Sequence, residues 1–153
     1  MPHYQQITFS HATSDDAEEL VAIRVEAMRE SLERLGRFQP ERARSRFLSG
    51  FEPARTRLIE LDGARVGFLV VKQVEGGLLL DHLYIRPGFQ GQGLGAAALQ
   101  LVFAEADAER LPVRVGALRG SRSNRFYLLH GFTQVDQGEF DVYYVRDWQH
   151  QAL

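Results

Sequence analysis

Apolar positions along this chain repeat with two periods that replace each other several times. Leu20, Ile23, Ala27, Met28, Ser31 and Leu35 recur three and four residues apart and stop at Gly36, the stripe of one helical face. Ser14 ahead of Asp15 and Asp16 reads as the N-cap of that helix, with acids in the first turn where the helix dipole favours them. Pro40 opens a second, shorter helix through residues 42–48, closed by Gly50 and Pro53. A strand over residues 6–10 precedes both. From Thr56 onward extended runs take over. Residues 57–61 and 65–74 join at Asp62-Gly63, a pair that supplies the positive φ of a tight hairpin turn. Gly76-Gly77 makes the next turn and residues 78–86 the next strand, halted by Pro87-Gly88. Leu94, Ala97, Ala98, Leu101, Val102 and Ala108 mark a helix over residues 94–110. Beyond Pro112 the pattern predicts a strand over Val113–Leu118, a helix over 122–130 stopped by Gly131, and a hairpin of 132–135 with 140–145 around Gly138. No repeat, low-complexity segment or linker interrupts this order, so one domain over residues 1–153 with mixed α/β layers is expected.

Four of the eight residues from 88 to 95 are glycine, between a strand and a helix whose predicted first turn takes in Gly93 and Gly95. Each glycine costs about 1 kcal/mol relative to alanine inside a helix. Two in one turn therefore point to backbone that a ligand approaches closely. Amides at a helix N-terminus, aligned with its dipole, suit a phosphate or pyrophosphate. A tight turn with no ligand is the plainer reading, and the glycine density favours the anion site. Gly91, Gly93 and Ala96 meet the letters of the dinucleotide fingerprint. Yet Arg86-Pro87-Gly88-Phe89-Gln90 separates them from the strand, and Leu118 and Arg119 stand where a ribose-binding acid belongs. No Lys-Ser/Thr follows the glycines, which excludes a P-loop.

Composition narrows the chemistry further. The 153 residues include no cysteine, which removes disulfides, thiolate metal sites and cysteine nucleophiles. A hydrophobic fraction of 44% at this length supports a core without such staples. The formal charge of -2 gives no pull toward nucleic acid or anionic membrane, and the arginines are scattered among acids. Lys72 is the sole lysine. No leader-like segment opens the chain and no apolar run approaches the ~18 residues of a membrane span, so a cytoplasmic location is expected. His3, His11, His130 and His150 show no metal-ligand spacing, and no metal is expected. Ser121 and Ser123 lack the patterned partners of a nucleophilic triad.

The stretch Leu83-Tyr84-Ile85-Arg86-Pro87-Gly88-Phe89-Gln90-Gly91-Gln92-Gly93-Leu94-Gly95-Ala96 resembles the acyl-CoA-binding signature of the GNAT superfamily of N-acetyltransferases. There a strand ending in an aliphatic residue leads to x-Pro and then Gln/Arg-x-x-Gly-x-Gly/Ala, filled here by Gln90, Gly93 and Gly95. Asn124-Arg125-Phe126-Tyr127-Leu128-Leu129-His130-Gly131-Phe132 is similar to the family's later motif, a helix with a Phe-Tyr pair before Gly-Phe. With Tyr127 aligned, the family's asparagine after the preceding strand falls on Gly120, and Asn124 is the candidate substitute. The resemblance implies a mixed sheet of six to seven strands flanked by about four helices, with strands splayed at an acyl-CoA site. It implies acetyl-CoA, or another acyl-CoA, as co-substrate. The pyrophosphate would sit on the amides of Gln90, Gly91, Gln92, Gly93, Leu94, Gly95 and Ala96, and the pantetheine arm along Leu83, Tyr84 and Ile85. Asn124 and Tyr127 would add side-chain contacts.

Acetyl transfer needs an amine stripped of its proton, since an alkylammonium of pKa near ~10.4 has no lone pair to attack with. It also needs a proton for the departing thiolate. The resemblance gives that role to Tyr127, because a phenol of pKa ~10 stays protonated at neutral pH; as an isolated residue Tyr127 reads as an aromatic core position. Alternation sends Asp81 and His82 to opposite faces of their strand. Asp81, which shares the parity of Leu83 and Ile85, is favoured as base; His82, better matched in pKa, and a chain of waters are the alternatives. Glu26 and Glu30 lie on one helix face and either receive a cationic amine or form a solvated face with Arg29 and Arg34. The expected protein is an N-acetyltransferase of small-molecule or peptide amines, with a homodimer as a further partner state. The competing expectation is a non-catalytic acyl-CoA sensor of the same fold.

Overall fold

A computed structural model describes residues 6–149. Their elements run β1 (Ile7–His11), α1 (Ala17–Arg34), α2 (Pro40–Ser49), β2 (Thr56–Leu61), β3 (Ala64–Val74), β4 (Gly77–Ile85), α3 (Leu94–Glu109), β5 (Val113–Leu118), α4 (Ser123–Leu129), β6 (Thr133–Gln137) and β7 (Asp141–Arg146). The strands form one mixed sheet in the order β1-β2-β3-β4-β5-β7-β6. β4 and β5 pair in parallel, whereas β1–β2, β2–β3, β5–β7 and β6–β7 pair antiparallel. Seven strands and four helices in this order are the architecture the sequence predicts. The opening residues and His3 and His150 lie outside the described residues.

The chain forms two compact units, one holding residues up to Val70 with His82–Gly95, the other Val71–Asp81 with the chain from Ala96 onward. The division passes through β3, β4 and the start of α3.

In the first unit, Leu20, Val21 and Ile23 of α1 and Phe47 of α2 bury against Leu58, Phe68 and Val70, with Phe51 and Tyr84 packed beside them. The stripe of α1 thins toward its end, and Leu35, at the C-cap where helical pairing stops, is 42% exposed. The predicted cap moves by one residue. Thr13, not Ser14, caps a one-turn 3-10 helix (Ser14–Asp16), and α1 starts at Ala17. The cause is Asp16, whose Oδ2 accepts the Thr13 N–H at 2.8 Å while Oδ1 accepts from Arg65 Nη1 at 2.6 Å. The Thr13 amide above all, with Arg65 beside it, holds the Asp16 carboxyl below the usual range against the opposing effect of burial. Asp62 and Gly63 are both left-handed, φ 51 and 86, the turn predicted between β2 and β3. Pairing then shifts, Ile59 facing Gly67 and Glu60 facing Arg65, so Val66 is an extra residue in β3. A Cβ on Gly67 would lie 2.3 Å from the Tyr84 carbonyl oxygen, so only glycine allows β3 this close to the end of β4.

In the second unit, alternation buries Val113, Val115 and Ala117 of β5 and Val142, Tyr144 and Arg146 of β7. Leu99, Val102, Phe103 and Ala106 supply the buried face of α3. Arg146 is buried because Asp107 of α3 takes its guanidinium at 2.8 and 3.2 Å and the Phe103 ring lies 4.0 Å beneath it. The same hydrogen bonds, joined by the Gln149 amide, hold the Asp107 carboxyl low.

Candidate functional site

After β4 the first unit carries the glycine-rich segment. Beyond a 3-10 turn (Pro87–Phe89), Gly91 and Gly93 are left-handed, φ 80 and 81. A Cβ on either would meet nothing within 4 Å. Backbone conformation, not crowding, therefore asks for glycine at both positions. α3 begins only at Leu94, so Gly93 is the last loop residue and lies outside the first turn that its spacing predicts; a positive φ cannot join a right-handed helix. Gly95 does lie in that turn. Gly91, Gln92 and Gly93 are exposed, while Leu94 is buried and anchors the start of α3; Ala96 opens the second unit.

Two side chains brace the base of the loop. Gln90 Nε2 donates to the Ile85 carbonyl at 3.0 Å, and the Gln90 N–H bonds the Pro87 carbonyl. Arg86 donates from Nη1 to Glu26 Oε2 at 3.0 Å and from Nε to the Arg65 carbonyl at 3.2 Å, while its N–H reaches the Val66 carbonyl at 2.8 Å. Glu26 is thus joined to the strand end that feeds the loop. Glu30 is held more loosely, 3.5 Å from Arg34 on its own helix. Leu83, Tyr84 and Ile85 are half-buried, and the parallel ladder of β4 with β5 covers only Leu78↔Val113, Leu79↔Arg114 and Leu80↔Val115. His82 Nδ1 lies 3.2 Å from Tyr84 Oη.

The second unit holds the other predicted residues. Tyr127 is 5% exposed, its ring 5.3 Å from Phe132 and 6.2 Å from Tyr144. Asn124 uses both ends of its amide: Nδ2 donates to the carbonyls of Leu118 at 2.9 Å and Ser121 at 3.0 Å, and Oδ1 accepts from Tyr144 Oη at 2.8 Å. Burial pushes the Tyr144 phenol up. Gly120 is left-handed at φ 82, a conformation glycine adopts at least cost. Asp81 Oδ2 lies 3.1 Å from Lys72 Nζ. Asp81 also lines a concavity of about 660 Å³ with Arg114, Asp136, Asp141 and Tyr143. Gly116 leaves room there, since its Cβ would come within 3.3 Å of the Tyr143 ring.

A family model described as the acetyltransferase (GNAT) domain matches residues 52–134, more than half of the chain. The chain belongs to the GNAT acetyltransferase family. No curated protein sequence matches it at a significant level. Solved structures share its fold at low identity. PaiA N-acetyltransferase from Thermoplasma acidophilum, in complex with coenzyme A, is 18% identical with a TM-score of 0.70, over 94% of this chain and 99% of that one. An acetyltransferase from Thermus thermophilus is 23% identical with a TM-score of 0.72, over 93% and 97%. The ribosomal-protein-S18-alanine N-acetyltransferase from Escherichia coli is 16% identical with a TM-score of 0.68, over 96% and 97%.

Within this GNAT chain, the structure groups the sequence-predicted residues by unit. Glu26, Glu30, Leu83, Tyr84, Ile85 and the loop through Gly95 belong to the first; Asp81, Ala96, Asn124 and Tyr127 belong to the second. Sequence reasoning missed Lys72 as the partner of Asp81, the need for Gly67, and Asp136, Asp141 and Tyr143. The hairpin register that aligns these last three has no signature in the pattern, because β6 is exposed throughout. Among the described residues, no helix is long and apolar enough to cross a membrane, and no three His, Cys, Asp or Glu side chains group as metal ligands.

Proposed function

We propose that this GNAT domain, residues 1–153, moves the acetyl group of acetyl-CoA to a primary amine of a small molecule or peptide by direct attack in a ternary complex. The observation that carries the proposal is the pair of left-handed glycines exposed between a strand end and the first turn of a long helix. Such a segment turns successive amides outward where the helix dipole favours an anion. Gly91, Gln92, Gly93, Leu94, Gly95 and Ala96 are assigned to the pyrophosphate. Gln90, whose amide and side chain are both engaged, shapes the loop from its base. The backbone of Leu83, Tyr84 and Ile85 is assigned to the pantetheine arm, and a strand N–H there to the developing oxyanion. Asn124, spent at both ends, contributes by fixing the turn that carries Tyr127, and Tyr127 gives the thiolate its proton.

The acceptor is assigned as a cation. Asp81, Asp136 and Asp141 line one concavity with Arg114 and Tyr143, three carboxylates to one guanidinium, and the Tyr143 ring also attracts an ammonium. On α1, Glu30 is the carboxylate an ammonium reaches at least cost, being 73% exposed, whereas Glu26 is committed to Arg86. The proton leaves toward β4, where Asp81 and His82 are the two candidates. The test is a panel of amines offered with acetyl-, propionyl- and succinyl-CoA, followed by free-thiol release and product mass. Acetyl-dependent thiol release with acetylated product is expected. Tight acetyl-CoA binding with no transfer to any amine would favour the sensor instead.

A further inference from the structure

The concavity of about 660 Å³ is lined by strand residues alone, all of them in the second unit. Alternation on β5 turns Arg114 and Gly116 away from the buried Val113, Val115 and Ala117. On β7 it sets Asp141, Tyr143 and Val145 opposite the buried Val142, Tyr144 and Arg146. Register fixes their neighbours: Arg114 pairs with Leu79 on β4 and Val145 on β7, Gly116 with Tyr143, and Leu118 with Asp141. Arg114 thus stands between two apolar side chains, about 13 Å of strand from the Asp141 rung. The floor between them is flat at Gly116, where a Cβ would meet the Tyr143 ring at 3.3 Å. Arg65, Arg86 and Arg146 are each paired with a carboxylate. The exposed Arg114 guanidinium has no hydrogen bond or ion pair among the described residues. Of the three carboxylates, Asp81 is held by Lys72 at 3.1 Å and Asp136 Oδ1 accepts the Gln137 N–H at 2.8 Å, whereas the Asp141 carboxylate is uncommitted among the described residues.

We infer that the acceptor is an amine that also carries a carboxylate, with the acid held by Arg114 and the ammonium drawn toward Asp141. The inference rests on the acetyltransferase reading above and deepens it by naming the class of acceptor. A planar guanidinium holds a carboxylate through two parallel N–H bonds, and apolar neighbours on both adjoining strands leave that fork free of competing acceptors. A plain amine answers the acids and leaves Arg114 without a partner. A polyamine brings a second cation up to the guanidinium, where like charges repel. An acceptor with one charge of each sign meets both ends of the concavity. Tyr143, 43% exposed, lies between those ends on β7 and offers its ring to the carbon skeleton that joins the two groups.

The experiment offers the full chain three pairs of compounds that differ by a carboxylate: alanine and ethylamine, 4-aminobutyrate and propylamine, tyrosine and tyramine. Turnover is measured as kcat/KM with acetyl-CoA, and affinity by NMR titration in the presence of CoA, where no transfer takes place. In at least one pair the carboxylated member should be favoured about tenfold or more in both readings, through a lower KM. Arg114→Gln should erase that preference. Equal or weaker use of the acid in all three pairs, or a preference that survives Arg114→Gln, overturns the inference. No transfer to any of the compounds overturns the acetyltransferase reading, and the NMR affinities then decide the site by the same criteria. If Arg114→Gln does not fold, the Arg114 Nε–H resonance of the wild-type chain decides: it must shift with the favoured acid and stay in place with its amine counterpart, and any other course rejects the site.

Discussion

The loop after β4 and the helix α4 carry the two motifs of this acetyltransferase, and they are built in opposite ways. The loop offers backbone: Gly91 and Gly93 are exposed, left-handed and surrounded by open space. α4 offers side chains: Tyr127 is buried against three rings, and Asn124 has every polar atom of its amide in use. A glycine-bearing loop fixes its shape through φ and leaves its amides to a ligand. A packed helix holds one hydroxyl in a fixed place. Substitutions in the first should therefore alter binding with little change in stability, and those in the second should alter turnover or folding.

The largest effect is expected at Tyr127. Tyr127→Phe keeps the ring contacts, so kcat should fall ~10²–10⁴-fold while acetyl-CoA affinity holds, read by single-turnover kinetics and calorimetric titration. A variant that turns over like wild type would place Tyr127 with the core aromatics and dissolve the contrast. Next comes the packing that supports this unit. Asp107→Asn leaves the buried Arg146 guanidinium short of its carboxylate, and breaking such a pair costs about 3–5 kcal/mol, measurable as a lower urea midpoint. A smaller effect is expected from the loop. Gly93→Val must place a branched side chain at φ 81, and acetyl-CoA should bind at least tenfold more weakly, ~1.4 kcal/mol, with an unchanged circular dichroism spectrum. Unchanged affinity would remove the anion site from this loop.

The smallest effect is one of pH. The Asp107 and Asp16 carboxyls are both held low in the folded chain, by Arg146 and by the Thr13 amide respectively. A carboxyl lowered by folding adds stability above its unfolded pKa of about 3.9, and that contribution disappears as pH falls through the folded value. The denaturation midpoint should therefore drop steadily below about pH 4. Asp107→Asn should show a shallower acid slope than wild type, and equal slopes would separate Asp107 from acid sensitivity.

Most of the fold was legible because turn chemistry and apolar period agree along the chain. Asp62-Gly63, Pro87-Gly88 and Gly131 punctuate the order of elements, and the observed bounds differ from the expected ones by a residue or two. Helix starts were harder: Thr13 outranks Ser14 because Asp16 is tied to Arg65, a partner 49 residues away. The candidate site was legible where it is backbone, since the glycine run marks a loop of unusual φ, although the spacing put Gly93 inside the helix and the structure leaves it in the loop. It was illegible where it depends on pairing across strands. Parity alone puts Asp81 and His82 on opposite faces of β4, but it does not show that Lys72 meets the one and Tyr84 the other. Gly67 looked like any strand glycine until the carbonyl of Tyr84 was placed against it.

Lys72 is the only side-chain amine in the sequence, and its Nζ stands 3.1 Å from Asp81 with about a third of the side chain exposed. That makes it a built-in reporter. A lysine-directed reagent modifies one internal position, and its rate follows how far the ion pair with the neighbouring carboxylate shields Nζ from the reagent. Asp81→Asn should speed labelling, and an amine acceptor seated against Asp81 should change the labelling rate in proportion to occupancy. A single lysine thus turns acceptor binding into a mass shift at one peptide, readable without any turnover.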